Sequence, residues 1–484
     1  MKIMRIRGLM VAALACGLIF TCTNLFAQAP VRRPVSPPAS SASRPPTFPT
    51  GAAPLFNRAA GKGNGGGLLV GQSYDGIDFI GSNCFCLPPD TNAAVGNNYV
   101  VETVNLQIRV FNKTTGAVLL NEPLFTFFGP FGFASDPYVL YDDNADRWYV
   151  TGIDGSLTGL LLAVSLDGNP LDGFPNIYDI TNGIGGFVPD YPKPGYNKDA
   201  IFITYNNFGV GTAAATIVSI DKAAASSGSL TYFVSTPEFQ FRAMPPAQMH
   251  GDIKGGTEWF VSTDGTDTGG NTIRVTEMTN YLSNTPNFTY TSMPVTPYQS
   301  AIEADQPGGP GTVTTFPNTT TTQVHWRKGR LVTSLASSTA SDGFVYPKAL
   351  WFQIDVNGNG AVKPRMIKSG VIDPGPGVAV QMPSVDEDQQ GNLGFTWMES
   401  SNTEYLSMWI ANLYTNGNFT SEVVAPGGGF FFFSFRIGDY SSTVVDPSDG
   451  RTFWSGNEYI GANGGPDPFT SDIWLTHLAA FRGR

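Results

Sequence analysis

A short unit recurs along this chain, and a recurring unit restricts the fold more than any single motif does. Each copy opens on a turn rich in Pro, Asp or Gly, runs into a short strand, turns on Asp, Asn or Gly, and returns in a second strand that carries an aromatic. Seven copies are marked by Asp90, Asp136, Asp190, His250, His325, Pro383 and Asp439. Their spacing averages about 58 residues, enough for a four-stranded antiparallel sheet with loops. One such sheet cannot bury both faces alone, whereas stacking copies around an axis buries them and leaves only short edges. The expectation is an all-β chain folded as a seven-bladed β-propeller with four-stranded antiparallel blades. Six or eight blades fit the length nearly as well, and a two-sheet jelly roll is the competing architecture.

Composition agrees with many short strands. Charged residues make up 14% of the 484, while Gly (56), Phe (34) and Tyr (18) are abundant, which suits strands and tight turns better than solvent-exposed helices. The best helical window, Asp221 to Ala225, is about one turn long. Further strands are expected at Leu106 to Phe111, Leu160 to Ser165, Thr216 to Ile220, Thr272 to Thr276, Ala349 to Ile354 and Tyr405 to Leu413. Few residues follow Asp439, so the last blade is expected to take its outer strand from Leu68 to Ile80.

Residues 1–27 have the three parts of a signal peptide: the basic Lys2, Arg5 and Arg7, an apolar run from Leu9 to Phe20, and small residues before a cut after Ala27. A lipoprotein cysteine at Cys16 is the alternative reading. Residues 28–67 are rich in Pro, Ser, Ala and Gly and read as a disordered stalk. The propeller is assigned to 68–484. Export to the periplasm, the cell surface or the medium follows, with no transmembrane segment after signal removal. Losing the signal leaves 25 basic against 39 acidic residues. So acidic a surface repels phosphate backbones and excludes nucleic acid as a natural partner. An extracellular glycan or other polymer, or an envelope protein, suits it better. Of the four cysteines, Cys84 and Cys86 remain after cleavage and are candidates for a local disulfide.

In a propeller the innermost strands line the axis, and equivalent positions of successive units converge at one mouth. Asp90, Asp136, Asp190 and Asp439 are therefore candidate catalytic carboxylates, with His250 and His325 on the same rim. Crowded carboxylates are relieved by a shared proton or a bound cation, so Asp90, Asp136 and Asp190 are candidate ligands for Ca²⁺, with Asn92 as a further oxygen. Arg436 is placed to hold an anionic group or to pair with a neighbouring Asp. The alternative role for any one of these aspartates is to cap its turn. Glu102, Glu303, Glu399 and Glu458 read as solvated loop acids. Asp355-Val-Asn357-Gly-Asn359-Gly360 opens like a calcium loop, but its twelfth position is Met366, and a hairpin turn is the simpler reading. Serine-hydrolase, zincin, P-loop and dinucleotide motifs are absent.

Three segments carry a resemblance: Pro88-Pro-Asp90-Thr-Asn92 through Tyr99, Asp136-Pro-Tyr-Val-Leu-Tyr through Trp148, and Gly438-Asp439-Tyr-Ser-Ser through Trp454. From Pro88 to Trp454 the chain resembles secreted bacterial sialidase-like β-propeller proteins. Asp446-Pro-Ser-Asp-Gly-Arg-Thr-Phe-Trp454 is similar to their Asp-box turn, with the spacing off by one. The resemblance implies fold and export. The arginine triad and Tyr/Glu pair of true sialidases find no match here. Three functions are expected in turn: a secreted propeller binding a glycan or polymer at the acidic mouth, a glycoside hydrolase or lyase using the same acids, or a structural envelope propeller.

Overall fold

The computed structural model describes residues 67–484 except for loops at 133, 181–187, 209–213, 238–242, 264–268, 301–303, 309–312, 314–321, 341–342, 358–363, 432–435 and 463–471, together with a strand at Leu55–Phe56. The expected signal peptide, Cys16, most of the stalk, Glu303 and Asn359 lie outside the described residues. Leu55–Phe56 falls within the segment read as stalk, yet it pairs in parallel with Val371 and Ile372.

Among the described residues the strands form seven blades. Blade 1 covers 92–123, blade 2 134–180, blade 3 188–235, blade 4 247–299, blade 5 324–372, blade 6 378–425 and blade 7 442–483. Blade 7 supplies three strands, and its fourth, outermost strand is Leu68–Asp78, paired antiparallel with Asp472–Gly483. The N-terminal end of the propeller thus locks the ring. In blade 4 the innermost strand, Ala247–His250, meets its own sheet through a Pro246–Phe260 bridge and pairs sideways, in parallel, with the innermost strands of blades 3 and 5. Gly195 permits the first approach, since a Cβ there would lie 2.7 Å from the carbonyl oxygens of Pro246 and Ala247.

The parity of single strands explains how the blades stack. In Leu160–Val164 every residue is buried, an apolar run of the kind found where both faces of a sheet are covered. Leu160, Leu162 and Val164 join blade 3 residues such as Ile201 and Val218, while Leu161 and Ala163 join blade 1 residues such as Val101 and Ile108. Separate apolar clusters fill each of the other junctions, around Phe202 and Phe260, Trp326 and Val261, Trp351 and Trp397, and Met408 and Phe453. The junction between blades 7 and 1, around Trp454, Ala93 and Phe111, closes the circle. A two-sheet jelly roll would need one continuous core in place of these seven. Outer strands such as Val118–Pro123 face solvent. Lys222–Ser226 is a one-turn helix capped by Asp221, whose carboxylate accepts from Ala224 N–H. No helix among the described residues is long and apolar enough to cross a membrane.

The axis is filled. Tyr138 from blade 2 meets the side-chain amides of Gln248 and Gln323, and Gln323 Oε1 accepts from Ser384 Oγ at 2.6 Å and from Thr443 N–H at 3.4 Å. Four side chains and the Thr443 N–H thereby form a hydrogen-bonded layer between the mouth where the innermost strands begin and the mouth where they end.

Candidate functional site

Four adjacent blades, 7, 1, 2 and 3, bring an aspartate to the mouth where their innermost strands begin. Their backbone is bent there. Asp90 and Asp136 take φ of 57° and 49°, as does Tyr191 (57°) beside Asp190, and the ladder slips at Ser135/Tyr138 and at Asp190/Lys193. Left-handed backbone at a non-glycine residue costs on the order of 1 kcal/mol or more, so it persists only where the surroundings fix it. A bulge also re-aims the side chain that it carries. Asn105 ties two of the acids together: its amide donates to Asp90 Oδ2 at 2.7 Å, and its oxygen accepts Asp136 N–H at 3.0 Å. Asp90 N–H in turn donates to Gly438 O, and Tyr191 OH donates to Asp439 O.

Two cations stand among these acids. Arg436 pairs with both carboxylate oxygens of Asp439. Lys193, 2% exposed, holds its ammonium 3.9 Å from the ring centres of both Tyr191 and Tyr440, a cation–π arrangement. Burial, reinforced by Asp190 and Asp439, lifts the Asp136 carboxyl to about 8. Burial and Asp439 lift Asp190 to about 6, and burial with Asp136 and Asp439 holds Asp90 well above the carboxylate range. Burial lowers Lys193 to about 7, against the pull of Asp439, Asp90 and Asp136. Asp439 and Arg436, each side chain nearly one-fifth exposed, form the outer layer of the cluster with the partly exposed Asp190, and Asp90, Asp136 and Lys193 lie beneath.

Several expected positions prove different. His250 and His325 do not share the acidic rim: His250 ends its strand, and Gln248 aligns with both Tyr196 and His325. Tyr196 ends the innermost strand of blade 3, six residues beyond Asp190, so His325, level with it, lies roughly 15–20 Å away along the strands and His250 two residues further still. The sequence reading slipped because blades 4 and 5 begin without an aspartate. Asn92 is fully buried, and its oxygen accepts Val139 N–H, joining blade 1 to blade 2. Among the described residues the carboxyl oxygens of Asp90, Asp136 and Asp190 do not converge to metal-binding distance, and Lys193 and Arg436 supply positive charge in that place.

Glu102, Glu399 and Glu458 are not solvated loop acids. They are buried in the second strands of blades 1, 6 and 7. Glu102 accepts from Ile77 N–H and Glu458 from Gly438 N–H, while Glu399 accepts from the Trp397 indole. Glu102 thereby ties blade 1 to the outermost strand of blade 7, Glu458 holds the segment that enters blade 7, and Glu399 bonds within its own strand. Burial raises Glu102 to about 7. Cys84 and Cys86 are joined as a disulfide in the loop that leads to Asp90, and Cys86 O accepts from the Trp474 indole. Asp355 turns its own hairpin by accepting Asn357 N–H, between Lys348–Asp355 and Arg365–Ile372. In the segment similar to an Asp-box, Asp449 accepts from Arg451 and Thr452 N–H, and Asp446 Oδ2 from the Trp454 indole, so these aspartates cap a hairpin.

The residue that sequence reading missed is Lys193. Pro192-Lys193-Pro194 looks like an exposed turn, and the only signal against it is a lysine set between prolines three residues after a candidate Asp.

No protein-family model matches the chain, and no curated protein does. Solved structures resemble it loosely. A protein of unknown function from Dyadobacter fermentans has a TM-score of 0.39 at 12% identity, covering 86% of this chain and all of that one. A subtype N10 neuraminidase-like protein of A/little yellow-shouldered bat/Guatemala/060/2010 has 0.38 at 9% identity, covering 73% of this chain and all of that one. An engineered GH43 glycoside hydrolase with endo-xylanase and exo-arabinofuranosidase activity has 0.31 at 9%, covering 85% and 100%. Overlaps this loose carry no argument about chemistry. The class, a seven-bladed β-propeller, rests on strand order and on the closed ring of cores.

Proposed function

We propose that the chain is an exported binding propeller that holds a hydroxyl-rich extracellular polymer, a glycan of neutral or basic character, at the mouth formed by Asp90, Asp136, Asp190 and Asp439. One observation carries this reading: four aspartates far apart in sequence meet at one mouth with Arg436, Lys193, Tyr191 and Tyr440. Carboxylates accept hydrogen bonds from sugar hydroxyls. A polymer meets the outer layer, Asp439, Arg436 and Asp190, first. The chain's net charge of −11 turns acidic polymers away.

The test is a panel of neutral, acidic and basic polysaccharides titrated against the purified chain and its Asp190→Asn variant, with and without Ca²⁺. Saturable binding to a neutral or basic polymer, weakened about tenfold in the variant, is expected; tenfold corresponds to about 1.4 kcal/mol. Binding that is absent, or equal in both proteins, overturns the reading.

A glycoside hydrolase or lyase is the second reading. It is favoured by one specific feature: Asp136, lifted to about 8 by burial and by Asp190 and Asp439, stands close to Asp439, which is ion-paired with Arg436. A carboxyl raised into the neutral range near a second carboxyl is the arrangement that supplies a proton donor. Release of reducing ends that Asp136→Asn abolishes would place catalysis above binding.

A further inference from the structure

At the opposite mouth, where the innermost strands end, His250 of blade 4, His325 of blade 5 and Asp386 of blade 6 bring three donor atoms within 4.8 Å of one another, all buried. We propose that these residues form a binding site for one divalent first-row transition ion of the imidazole-preferring kind, such as Zn²⁺ or Co²⁺.

The tautomer of His250 is the first step. Tyr196 OH lies 3.2 Å from His250 Nδ1, but its single proton is given to Tyr141 O at 2.9 Å. The tyrosine oxygen therefore accepts from His250 Nδ1–H, and Asp143 Oδ1, 3.8 Å from the same nitrogen, favours that proton. A ligating histidine typically gives its other ring N–H to such a group. His250 Nε2 is left with its lone pair directed at His325 Nδ1, 3.3 Å away. Two atoms each 2.0–2.1 Å from a tetrahedral ion lie about 3.3 Å apart.

Asp386 completes the set. Its Oδ2 is 3.8 Å from His325 Nδ1, and its carboxylate is held in place by Glu387 N–H at 2.7 Å and Val445 N–H at 2.8 Å. Arg327 opposes a cation here, while Asp386 and Asp143 offset it; Glu387 is engaged by Arg330 and Gln353. A dimple with about 10 Å³ of free space opens between Val95, Asp143, His250 and Pro447, room for one water. Of the three donors it borders His250, so the site would be approached from that side. Two imidazoles with one carboxylate suit zinc or another first-row metal better than the all-oxygen preference of Ca²⁺.

The test uses the full chain without a histidine tag, stripped with chelator and titrated with Co²⁺, reading the visible ligand-field band and bound metal per chain, then displacing with Zn²⁺. One ion per chain is expected. His250→Ala, at the dimple, abolishes saturable uptake, and Tyr196→Phe weakens it about tenfold or more by freeing the ring. His477→Ala, at the chain's third histidine, which pairs with Asp75, leaves it unchanged. Because His325 and Asp386 lie in the core, their variants are not required; the Zn²⁺-induced rise in Tm of the unaltered chain, absent from His250→Ala, is the independent readout. No ligand-field band and no uptake by the unaltered chain, the result of a plain imidazole–imidazole hydrogen bond, overturns the proposal. Uptake that survives His250→Ala, or that is lost with His477→Ala, overturns it equally.

Discussion

The two mouths of this propeller solve opposite electrostatic problems. Where the innermost strands begin, blades 7, 1, 2 and 3 crowd four carboxyls together, and the chain answers from within with Arg436 and Lys193. Where they end, blades 4, 5 and 6 gather two imidazoles and one carboxylate, and burial lowers the His325 ring to about 4 and so favours its neutral form. Charge that a side chain cannot shed must be paired on the spot, whereas a titrating ring can simply give up its proton. Removal of a partner should therefore be more costly at the first mouth than at the second.

Lys193→Met is the sharpest way to break that contrast. It removes an ammonium that faces Asp439, Asp90 and Asp136, and deleting one partner of a buried ionic group costs about 3–5 kcal/mol. His325→Leu removes a neutral ring and should cost about 1–3 kcal/mol, mostly from hydrogen bonding. Urea denaturation of both variants at neutral pH decides the matter. An equal cost for both would mean that the acids at the first mouth already carry enough protons to make Lys193 dispensable.

The pH dependence of stability is the next effect in size. Asp136 and Asp190 have folded values of about 8 and 6, above their unfolded values. Across that interval the native state holds protons that the unfolded chain has released, so stability is full below about pH 4 and falls as pH rises toward about 8. Lys193, lowered to about 7, has the opposite sign and adds stability as pH climbs further. Urea midpoints across pH 4 to 9 should decline and then level off or recover. Asp136→Asn should flatten the decline by an amount on the order of 1–3 kcal/mol. His250→Ala should leave it in place.

How far the sequence reveals these sites follows from what each residue must do. The repeat and its turns are local, so blade order is legible, as is the closure by Leu68–Asp78, which follows from the few residues left after Asp439. Asp90, Asp136, Asp190 and Asp439 are legible because each stands at the same step of its unit. The histidines are misplaced because blade 4 begins at Ala243-Met244-Pro245 and carries no acid, so His250, a strand later, is matched instead. Depth is not legible. Glu102, Glu399 and Glu458 all stand in second strands but at different steps, and single acids of this kind read as exposed until the N–H groups that they accept are seen. Lys193 is hidden for the same reason, since its partners come from three other blades.

The smallest effect bears on whether the two mouths communicate. Between them lies the plug of Tyr138, Gln248, Gln323, Ser384 and Thr443, a hydrogen-bonded layer with one arrangement of partners and no titrating group that changes charge near neutrality. Substitutions separated by such a layer, more than about 10 Å apart and with no shared partner, add to within about 0.3–0.5 kcal/mol. Asp190→Asn combined with His250→Ala should therefore give the sum of the single costs, measured as a double-mutant cycle in urea. Adding Gln323→Leu should not change that sum beyond its own cost. A coupling above about 1 kcal/mol would show that the plug transmits between the mouths, and the acidic cluster and the imidazole site would then have to be treated as one polar axis.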